Sequence, residues 1–312
     1  MIYTITFNPS VDYTVYTDSI VFGATNRSVH EGIHFGGKGV NVSRVLAELD
    51  VPSVALGFIA GFTGRALEDE LTAQGIVTRF VHLPDGFTRI NIKLHTEANT
   101  ETEINGSGPD ISPEALREFM AMLDELTADD TLVLAGSVPR SLPSDMYARI
   151  LQRTSGKGVR CVVDATGELL VNALTYRPFL IKPNRQELSN IFGVEMRSHD
   201  DIVAYAKQLQ DMGAENVLVS LGGEGAVLLD EQRCVHTAAA IPCRVVSTVG
   251  AGDSMLAGFL AGYDRTRKAS EALALGTICG AATACSAGLA VKDKIEELSK
   301  HHHNKETGGT SL

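Results

Sequence analysis

The feature that most constrains the fold of this chain is a regular alternation of short apolar runs with amphipathic stretches. The apolar runs occupy residues 2–7, 53–59, 131–134, 160–163, 179–181 and 217–220. Between them, apolar residues recur at helical spacing, for example at Val42, Val45 and Leu49. Short, wholly apolar strands that alternate with helices are typical of a parallel sheet covered by helices on both faces. The sequence therefore predicts an α/β fold with a mostly parallel central sheet.

Two segments depart from this rhythm, at about residues 11–33 and 87–105. In both segments polar and apolar residues alternate one by one, as in the run Arg-Ile-Asn-Ile-Lys-Leu at 89–94. Such alternation indicates strands with one solvated face, so we expect a small β-sheet that forms a lid over the main layer. No linker rich in proline, serine or charge sets this lid apart. We therefore expect a single α/β domain over residues 1–300 and a polar, disordered tail over residues 301–312.

The charge balance and the cysteine pattern limit the partners and the compartment of the protein. The chain has 27 basic and 38 acidic side chains, and the resulting net charge of −11 disfavours attraction to nucleic acid or to an anionic membrane. No apolar run approaches the roughly 18 residues of a membrane span, and the first residues do not resemble a signal peptide. The five cysteines form no Cys-x-x-Cys pair, and three lie in apolar segments, as reduced core thiols do. We therefore expect a cytoplasmic protein without nucleic-acid or membrane partners.

The most informative motif is the run Ser-Thr-Val-Gly-Ala-Gly-Asp-Ser at 247–254, which opens an apolar helical pattern. The small residues Gly250, Ala251 and Gly252 let backbone amides approach an anion at the positive end of a helix. Asp253 then lies where a carboxylate can accept a proton from an attacking hydroxyl group. The alternative is that Asp253 only complements the dipole of the helix N-terminus.

A second candidate anion site is the run Gly-Gly-Lys-Gly-Val-Asn at 36–41, again at the start of a helical pattern. It combines close backbone amides with the cation of Lys38. Taken alone, the same residues could equally form a glycine-rich turn with a surface lysine.

Three further polar groups follow apolar strands. After the apolar run at 179–181, Asn184 and Glu187 are three residues apart and share one face if a helix begins there. Glu187 could also act there as a partner of the helix dipole. The glycine-rich turn at 220–225 follows another strand and could be a nucleotide-binding turn or an ordinary hairpin turn. Asp164 ends a strand at the sheet edge where ligands of α/β proteins bind, and its role stays open.

Taken in order, these motifs resemble a known family. The segments 36–41 and 250–253 resemble the two signatures of the ribokinase-like superfamily of carbohydrate kinases. The resemblance to its 1-phosphofructokinase and tagatose-6-phosphate kinase branch rests on further segments, which are Asn-Pro-Ser-Val-Asp at 8–12, Thr-Arg-Ile-Asn at 88–91, Thr-Glu-Ile-Asn-Gly at 102–106, Lys-Pro-Asn at 182–184 and Val-Gly-Ala-Gly-Asp-Ser at 249–254. The resemblance implies a ribokinase-like fold and spans nearly the whole chain.

The resemblance also implies a role for each matched residue. Asp253 would be the catalytic base, beside the backbone of Gly250, Ala251 and Gly252. The residues that would bind the sugar phosphate are Asp12, Gly36, Gly37, Lys38, Asn41, Arg89 and Asn105, with Lys38 and Arg89 on its phosphate. The residues that would bind ATP are Lys182, Asn184, Ser220, Gly222, Gly223 and Gly225. Asn184 and Glu187 would organise Mg²⁺, partly through water.

The activity that the resemblance implies is transfer of the γ-phosphoryl group of ATP to the 6-hydroxyl of fructose 1-phosphate, which gives fructose 1,6-bisphosphate and ADP. Tagatose 6-phosphate or fructose 6-phosphate could replace that substrate, since one basic cluster can hold a phosphate at either end of a sugar. A non-catalytic sugar-phosphate sensor is a third possibility, against which the presence of Asp253, Asn184 and Glu187 argues. Because the edges of an open lid sheet invite pairing, we expect a homodimer formed through the lid.

Overall fold

The structure, a computed structural model, describes residues 1–97 and 100–307, with side chains to residue 300. The strands, in chain order, are β1 (Ile2–Thr6), β2 (Ser10–Thr17), β3 (His30–Gly36), β4 (Ser53–Ala60), β5 (Val77–Leu83), β6 (Arg89–Thr96), β7 (Glu101–Asn105), β8 (Thr131–Ala135), β9 (Arg160–Asp164), β10 (Leu180–Ile181), β11 (Asn216–Ser220), β12 (Ala226–Leu229) and β13 (Val235–Ala238). The helices are α1 (Lys38–Glu48), α2 (Gly61–Ala73), α3 (Pro113–Met122), α4 (Met146–Thr154), α5 (Gly167–Ala173), α6 (Arg185–Phe192), α7 (His199–Asp211), α8 (Ala251–Thr266), α9 (Ala269–Ala284) and α10 (Lys292–Thr307).

Within the described residues, the central sheet has nine strands in the order β13-β12-β11-β10-β9-β8-β1-β4-β5. All pairings from β5 to β11 are parallel, while β12 and β13 add an antiparallel edge. The chain starts in β1 and builds outward through β4 and β5, and it later returns to β8 on the other side and builds outward through β9 to β11. The strand order thus reverses between β1 and β8, and such a reversal opens a crevice at the carboxyl ends of the two strands.

Helices cover both faces of this sheet, and each face has its own apolar core. One core contains Phe7, Phe119 and Tyr147 and is closed by helices that include α3, α4 and α7. The other core contains Leu46 and Phe259 and is closed by helices that include α1, α8 and α9. Strands buried on both faces need apolar residues at nearly every position, which explains the short unbroken apolar runs of the sequence. The predicted α/β fold class is confirmed.

A separate four-stranded sheet has the order β3-β2-β6-β7. Its central pair, β2 and β6, is parallel, and both outer pairings are antiparallel. Side chains alternate between its two faces: the pairing register puts Asp12 beside His34 and Asn91 on one face, and Tyr13 beside Ile33 and Ile92 on the other. The expected second, small sheet is thus present, and its strand β3 continues beyond residue 33 to the start of α1. Residues 98 and 99 of the segment 87–105 lie outside the described residues.

The cysteines differ from the expectation of reduced thiols. Cys243 and Cys285 form a disulfide, with their Cα atoms 6.1 Å apart, whereas Cys161, Cys234 and Cys279 are free. A pairing over a sequence separation of 42 residues has no local signature. It arises because the segment before α8 packs against the end of α9, where the Val246 amide donates to the Ala284 carbonyl.

Within the tail expected from residue 301, the backbone of residues 301–307 continues α10. Residues 308–312 lie outside the described residues. The helix is rich in Lys and Glu, which favour helix, and Lys294 pairs with Glu297 one turn along. No helix of the described residues has the length and apolar character needed to cross a membrane.

Candidate active site

A cavity of about 340 Å³ lies in the crevice at the carboxyl ends of β1, β8 and β9. Its polar and charged lining residues come from five parts of the chain and are Thr6, Asn8, Lys38, Arg89, Ser137, Asp164 and Thr166. A second cavity, of about 550 Å³, lies between the small sheet and the starts of α1 and α8. Its lining includes Asp12, Gly36, Asn41, Lys93 and Gly250, and both cavities are lined by Gly37. The reversal of strand order therefore coincides with the candidate site.

The N-termini of α1 and α8 meet at this site. Gly37 precedes α1 with φ 130°, and Gly250 precedes α8 with φ 79°, a region that L side chains rarely adopt. A Cβ atom at Gly37 would lie 2.5 Å from Thr6 Cγ2, so the close approach also requires glycine. The Nδ2 group of Asn41 in α1 donates to Oδ2 of Asp253 in α8 over 2.8 Å. Two positive helix ends are thus fixed beside one carboxylate, as the two motifs predicted separately.

Asp253 is 5% exposed and lies in the first turn of α8. Burial raises its pKa to about 6, and the nearby charge of Asp164 acts in the same direction. Lys38, the hydrogen bond from Asn41 and Lys182 partly oppose this rise in the pKa. A carboxylate with such a pKa is mostly ionised at neutral pH and still basic enough to accept a proton.

Lys38 and Arg89 line the first cavity together. The Nε group of Arg89 donates to the Asn8 carbonyl over 3.0 Å, which fixes the guanidinium group. Burial lowers the pKa of Lys38, but the carboxylates of Asp164 and Asp253 outweigh burial, so the pKa lies above its ordinary value. The cavity therefore presents two cations, one from the start of α1 and one from the start of β6. Two such cations suit an anchored phosphate.

Asp12 is held on the small sheet by its neighbours. Its Oδ1 atom accepts hydrogen bonds from Ser10 Oγ over 2.7 Å and from Asn91 Nδ2 over 2.8 Å. Its Oδ2 atom lies 3.8 Å from Lys93 Nζ. Because Oδ1 is already occupied by two donors, Oδ2 is the oxygen available to a ligand in the second cavity.

Of the residues predicted to bind ATP, Lys182 lies beside the turn at 250–253, here called the transfer turn. Lys182 is buried, and a Cβ atom at Gly252 would lie 3.1 Å from Lys182 Nζ, so the ammonium group sits over this turn. Asn184 and Ser220 form an isolated parallel bridge. The turn after Ser220 is a short 3₁₀ helix, and the space around Gly222 and Gly223 is open.

Asn184 and Glu187 form a capping box at the start of α6. Asn184 Oδ1 accepts from the Glu187 amide, and Glu187 Oε2 accepts from the Asn184 amide, both over 2.8 Å. The capping role is therefore present, and it leaves Glu187 Oε1 without a hydrogen bond in the described structure. No group of three or more His, Cys, Asp or Glu side chains in the described residues could hold a metal ion directly. An amide and a free carboxylate oxygen fit a Mg²⁺ ion that keeps its water and binds chiefly to ATP phosphates.

Among the residues predicted to bind the sugar phosphate, Asn105 lies at the edge of the small sheet, where the strand register pairs it with Asn91. Asn105 is exposed on the edge strand β7, where its amide donates to Glu103 over 3.3 Å, and it lines neither cavity. Several lining residues were missed from the sequence, and Lys93 and Ser137 are two of them. Lys93 shares the face of Asn91, which the period-two pattern could have indicated, and Ser137 follows the carboxyl end of β8, as Asp164 ends β9.

Comparison with known proteins agrees with this geometry. The profile of the pfkB family carbohydrate kinases matches residues 6–295. The chain is 44% identical to the 1-phosphofructokinase of Bacillus subtilis, over 96% of this chain and 97% of that protein. It is 38% identical to the D-tagatose-1-phosphate kinase of Bacillus licheniformis, over 95% and 97% of the two chains. The crystal structure of phosphofructokinase-2 from Escherichia coli in complex with substrates and products superposes with a TM-score of 0.90 at 29% identity, over 96% and 98% of the two chains.

These matches confirm the resemblance that the ordered motifs indicated and the expectation of a phosphotransferase. They cover nearly the whole length of the relatives, so the motifs occur in the context in which the family uses them. The chain belongs to the pfkB family of carbohydrate kinases.

Proposed function

We propose that the protein transfers the γ-phosphoryl group of ATP to the 6-hydroxyl of fructose 1-phosphate, which gives fructose 1,6-bisphosphate and ADP. The observation that carries this proposal is the buried carboxylate of Asp253 at the N-terminus of α8, next to a cavity with the two cations Lys38 and Arg89. A base for a hydroxyl group, amides for a phosphoryl group and cations for an existing phosphate are what this reaction requires. The substrate follows the Bacillus subtilis relative, which is a 1-phosphofructokinase.

In this proposal the sugar phosphate spans the two cavities. Lys38 and Arg89 hold its phosphate, and Asp12, Gly36, Gly37 and Asn41 hold its hydroxyl groups. Asp253 removes the proton of the attacking hydroxyl, while the amides of Gly250, Ala251 and Gly252 stabilise charge on the phosphoryl group. Asn105, which lies opposite Asn91 on the edge strand, stays a proposed contact of the sugar.

ATP is proposed to lie on the side of Lys182, which faces the transfer turn, with Asn184, Ser220 and the glycines Gly222, Gly223 and Gly225 along it. When bound, Mg²⁺ would neutralise charge on the ATP phosphates. Asn184 and Glu187 would hold its water shell, which the free Glu187 Oε1 atom supports.

We further propose that residues 1–300 act as one domain in the cytoplasm, with the small sheet as a lid and a second copy of the chain on the lid. One row of the sheet's outer face is apolar and consists of Ile33, Tyr13, Ile92 and Ile104. Ile33 is 61% exposed and Ile104 is 56% exposed. Exposed apolar side chains at both ends of this row favour burial against the same row of a second copy of the chain, as in a two-fold symmetric dimer.

The dimer gives a prediction. Light scattering at micromolar concentration should give twice the chain mass for the parent. Ile33→Glu should lower this mass toward that of one chain, because a charge on the apolar row would be buried in the interface. The matched control is Val77→Glu, an exposed apolar residue on β5 of the other sheet, and its mass should equal that of the parent. A monomeric parent would contradict the proposal.

A second candidate substrate is tagatose 1-phosphate, which the Bacillus licheniformis relative supports. It differs from fructose 1-phosphate in the configuration at one carbon and carries its phosphate at the same end. Tagatose 6-phosphate and fructose 6-phosphate carry it at the other end, so their free hydroxyl would be displaced relative to Asp253. A sensor without catalysis would bind the sugar and release no ADP.

The sugar preference is the decisive test of the proposed function. At saturating ATP and Mg²⁺, we expect kcat/KM for fructose 1-phosphate to exceed that for either 6-phosphate by at least about tenfold, which corresponds to roughly 1.4 kcal/mol. A sugar held by the wrong end loses contacts in the transition state. Steady-state assays of ADP release with the four sugars provide the measurement. A preference for tagatose 1-phosphate would change the proposed substrate and leave the proposed kinase activity in place. No ADP release with any of the four sugars would support the non-catalytic sensor.

A further inference from the structure

Asp164 is a buried charge for which the proposed roles above give no use. It ends β9, and its carboxylate is 0% exposed on the floor of the first cavity. An ionised carboxylate in such a place is costly unless cations and hydrogen bonds compensate it. What surrounds Asp164 therefore indicates what it does.

Two lysines share this carboxylate, one on each oxygen. Lys38 Nζ donates to Oδ1 over 3.1 Å, and Lys182 Nζ lies 3.4 Å from Oδ2. The second contact is within ion-pair distance but outside hydrogen-bond geometry, so Oδ2 has no hydrogen-bond partner in the described structure. These charges hold the pKa of Asp164 low: burial raises it, but Lys182 and Lys38 outweigh burial. Asp164 is therefore an ionised group between two ammonium groups.

The two lysines belong to different halves of the site. Lys38 is the first residue of α1 and lies in the cavity with Arg89, on the side proposed for the sugar phosphate. Lys182 follows β10, is 5% exposed and faces Gly252 in the turn proposed for the transferred phosphoryl group. One carboxylate thus connects the cation of the acceptor side with the cation of the donor side.

A lysine ammonium group is a compact charge on a flexible stem, and fixing such a stem costs conformational entropy. If this cost is met before the substrates bind, the cations need not be rearranged during phosphoryl transfer. We propose that Asp164 is a positioning residue for phosphoryl transfer, whose two oxygens hold Lys38 and Lys182 in place for the acceptor and the donor phosphate. This inference rests on the proposed kinase activity.

Asp164 also acts on Asp253 through its charge. The charged groups around Asp253 come from α1, β9, the segment after β10 and, across the second cavity, the small sheet: they are Lys38, Asp164, Lys182, Asp12 and Lys93. Burial is the main cause of the raised pKa of Asp253, and the charge of Asp164 is the next. If Asp164 becomes neutral, that contribution is lost and the pKa of Asp253 falls. The pKa of Asp253 in the folded protein therefore reports the charge of Asp164 beside the site, while the plateau of kcat reports whether the two lysines are held in place.

The test is Asp164→Asn in the full chain, which keeps the shape and removes the charge. We expect kcat on its pH plateau to fall roughly tenfold, less than the ~10²-fold that a 1 Å misplacement can cost. We also expect the acidic limb of kcat and the carboxyl ¹³C titration of Asp253 to move to lower pH. The matched control is Asp230→Asn, a buried carboxylate that accepts from the Gln232 and Cys234 amides at the opposite sheet edge. It should leave both the plateau and the limb in place.

An unchanged plateau or an unchanged titration of Asp253 would overturn the proposal. If Asp164→Asn does not fold, the test uses Asp164→Glu, because the longer side chain keeps the negative charge but moves it away from its position in the parent. This variant should lower the plateau of kcat, and parental kcat would overturn the proposal. If the parent phosphorylates none of the sugars, the proposed function fails, while the ¹³C titration of Asp253 still decides whether Asp164 sets the charge of the site.

Discussion

Asp253→Asn should lower kcat by about 10²–10⁴-fold, the usual cost of losing a positioned general base. The amide keeps the shape of the side chain and still accepts the hydrogen bond from Asn41 Nδ2 through its oxygen. It has no basic oxygen for the proton of the attacking hydroxyl group. Because Asp253 is proposed to act in the transition state, KM for both substrates should change little. Steady-state kinetics of ADP release measure both constants.

The control for this variant is Asp264→Asn, which makes the same substitution near the other end of α8, where Asp264 is exposed and pairs with Arg267. It should retain parental kcat. The parent should also lose kcat as the pH falls through about 6, because protonation of Asp253 removes the base. Near-parental kcat in Asp253→Asn would contradict the catalytic assignment, and a decrease shared by Asp264→Asn would indicate damage to the helix.

Local features of the site could be predicted from the sequence because a few neighbouring residues determine them. The glycines at 37 and 250 permit backbone conformations and close approaches that other residues do not, so the two helix starts were visible as motifs. The apolar runs also indicated the sheet locally, because strands covered by helices on both faces are apolar at nearly every position. The alternation at 89–94 likewise indicated a strand with two different faces.

Features that depend on residues far apart in the chain could not be predicted in this way. Lys38 and Asp164 are 126 residues apart, and Asn41 and Asp253 are 212 residues apart. Only the folded arrangement of α1, α8 and β9 brings them together. The role of Asp164 stayed open because nothing within its own segment pairs with it. The disulfide between Cys243, which precedes α8, and Cys285, which directly follows α9, was missed for the same reason.

The order of the motifs along the chain, and the family resemblance that it carries, predicted part of what the local patterns could not. The alternation alone left Arg89 indistinguishable from a solvated strand residue, and the resemblance placed it on a phosphate. In the structure Arg89 lines the same cavity as Lys38, which agrees with that role and does not test it. The motif order also assigned Asn105 to the sugar; it lies exposed on the sheet edge opposite Asn91, and its role stays a prediction.

Arg89→Ala tests the separation of phosphate anchoring from catalysis. Loss of a charge-assisted contact costs roughly 1.5–3 kcal/mol, so KM for the sugar phosphate should rise about ten- to a hundredfold. KM for ATP should change far less, because Arg89 lies in the cavity of Lys38 and Asn8 and not beside the transfer turn. Arg89→Lys keeps the charge but loses the guanidinium geometry, so its KM should lie between those of the parent and the alanine variant. Steady-state kinetics with each substrate varied in turn measure both constants.

The matched control is Arg79→Ala on β5, which removes an exposed guanidinium group that pairs with Glu125. An exposed ion pair contributes little to stability, so this variant should have parental constants for both substrates. The Arg89 variant also loses the hydrogen bond to the Asn8 carbonyl, and some loss of stability is expected from it. A disturbed fold would raise both KM values together, whereas a lost phosphate anchor raises that of the sugar phosphate alone. Equal increases in the two constants would therefore indicate a disturbed fold and would contradict the predicted separation of phosphate anchoring from catalysis.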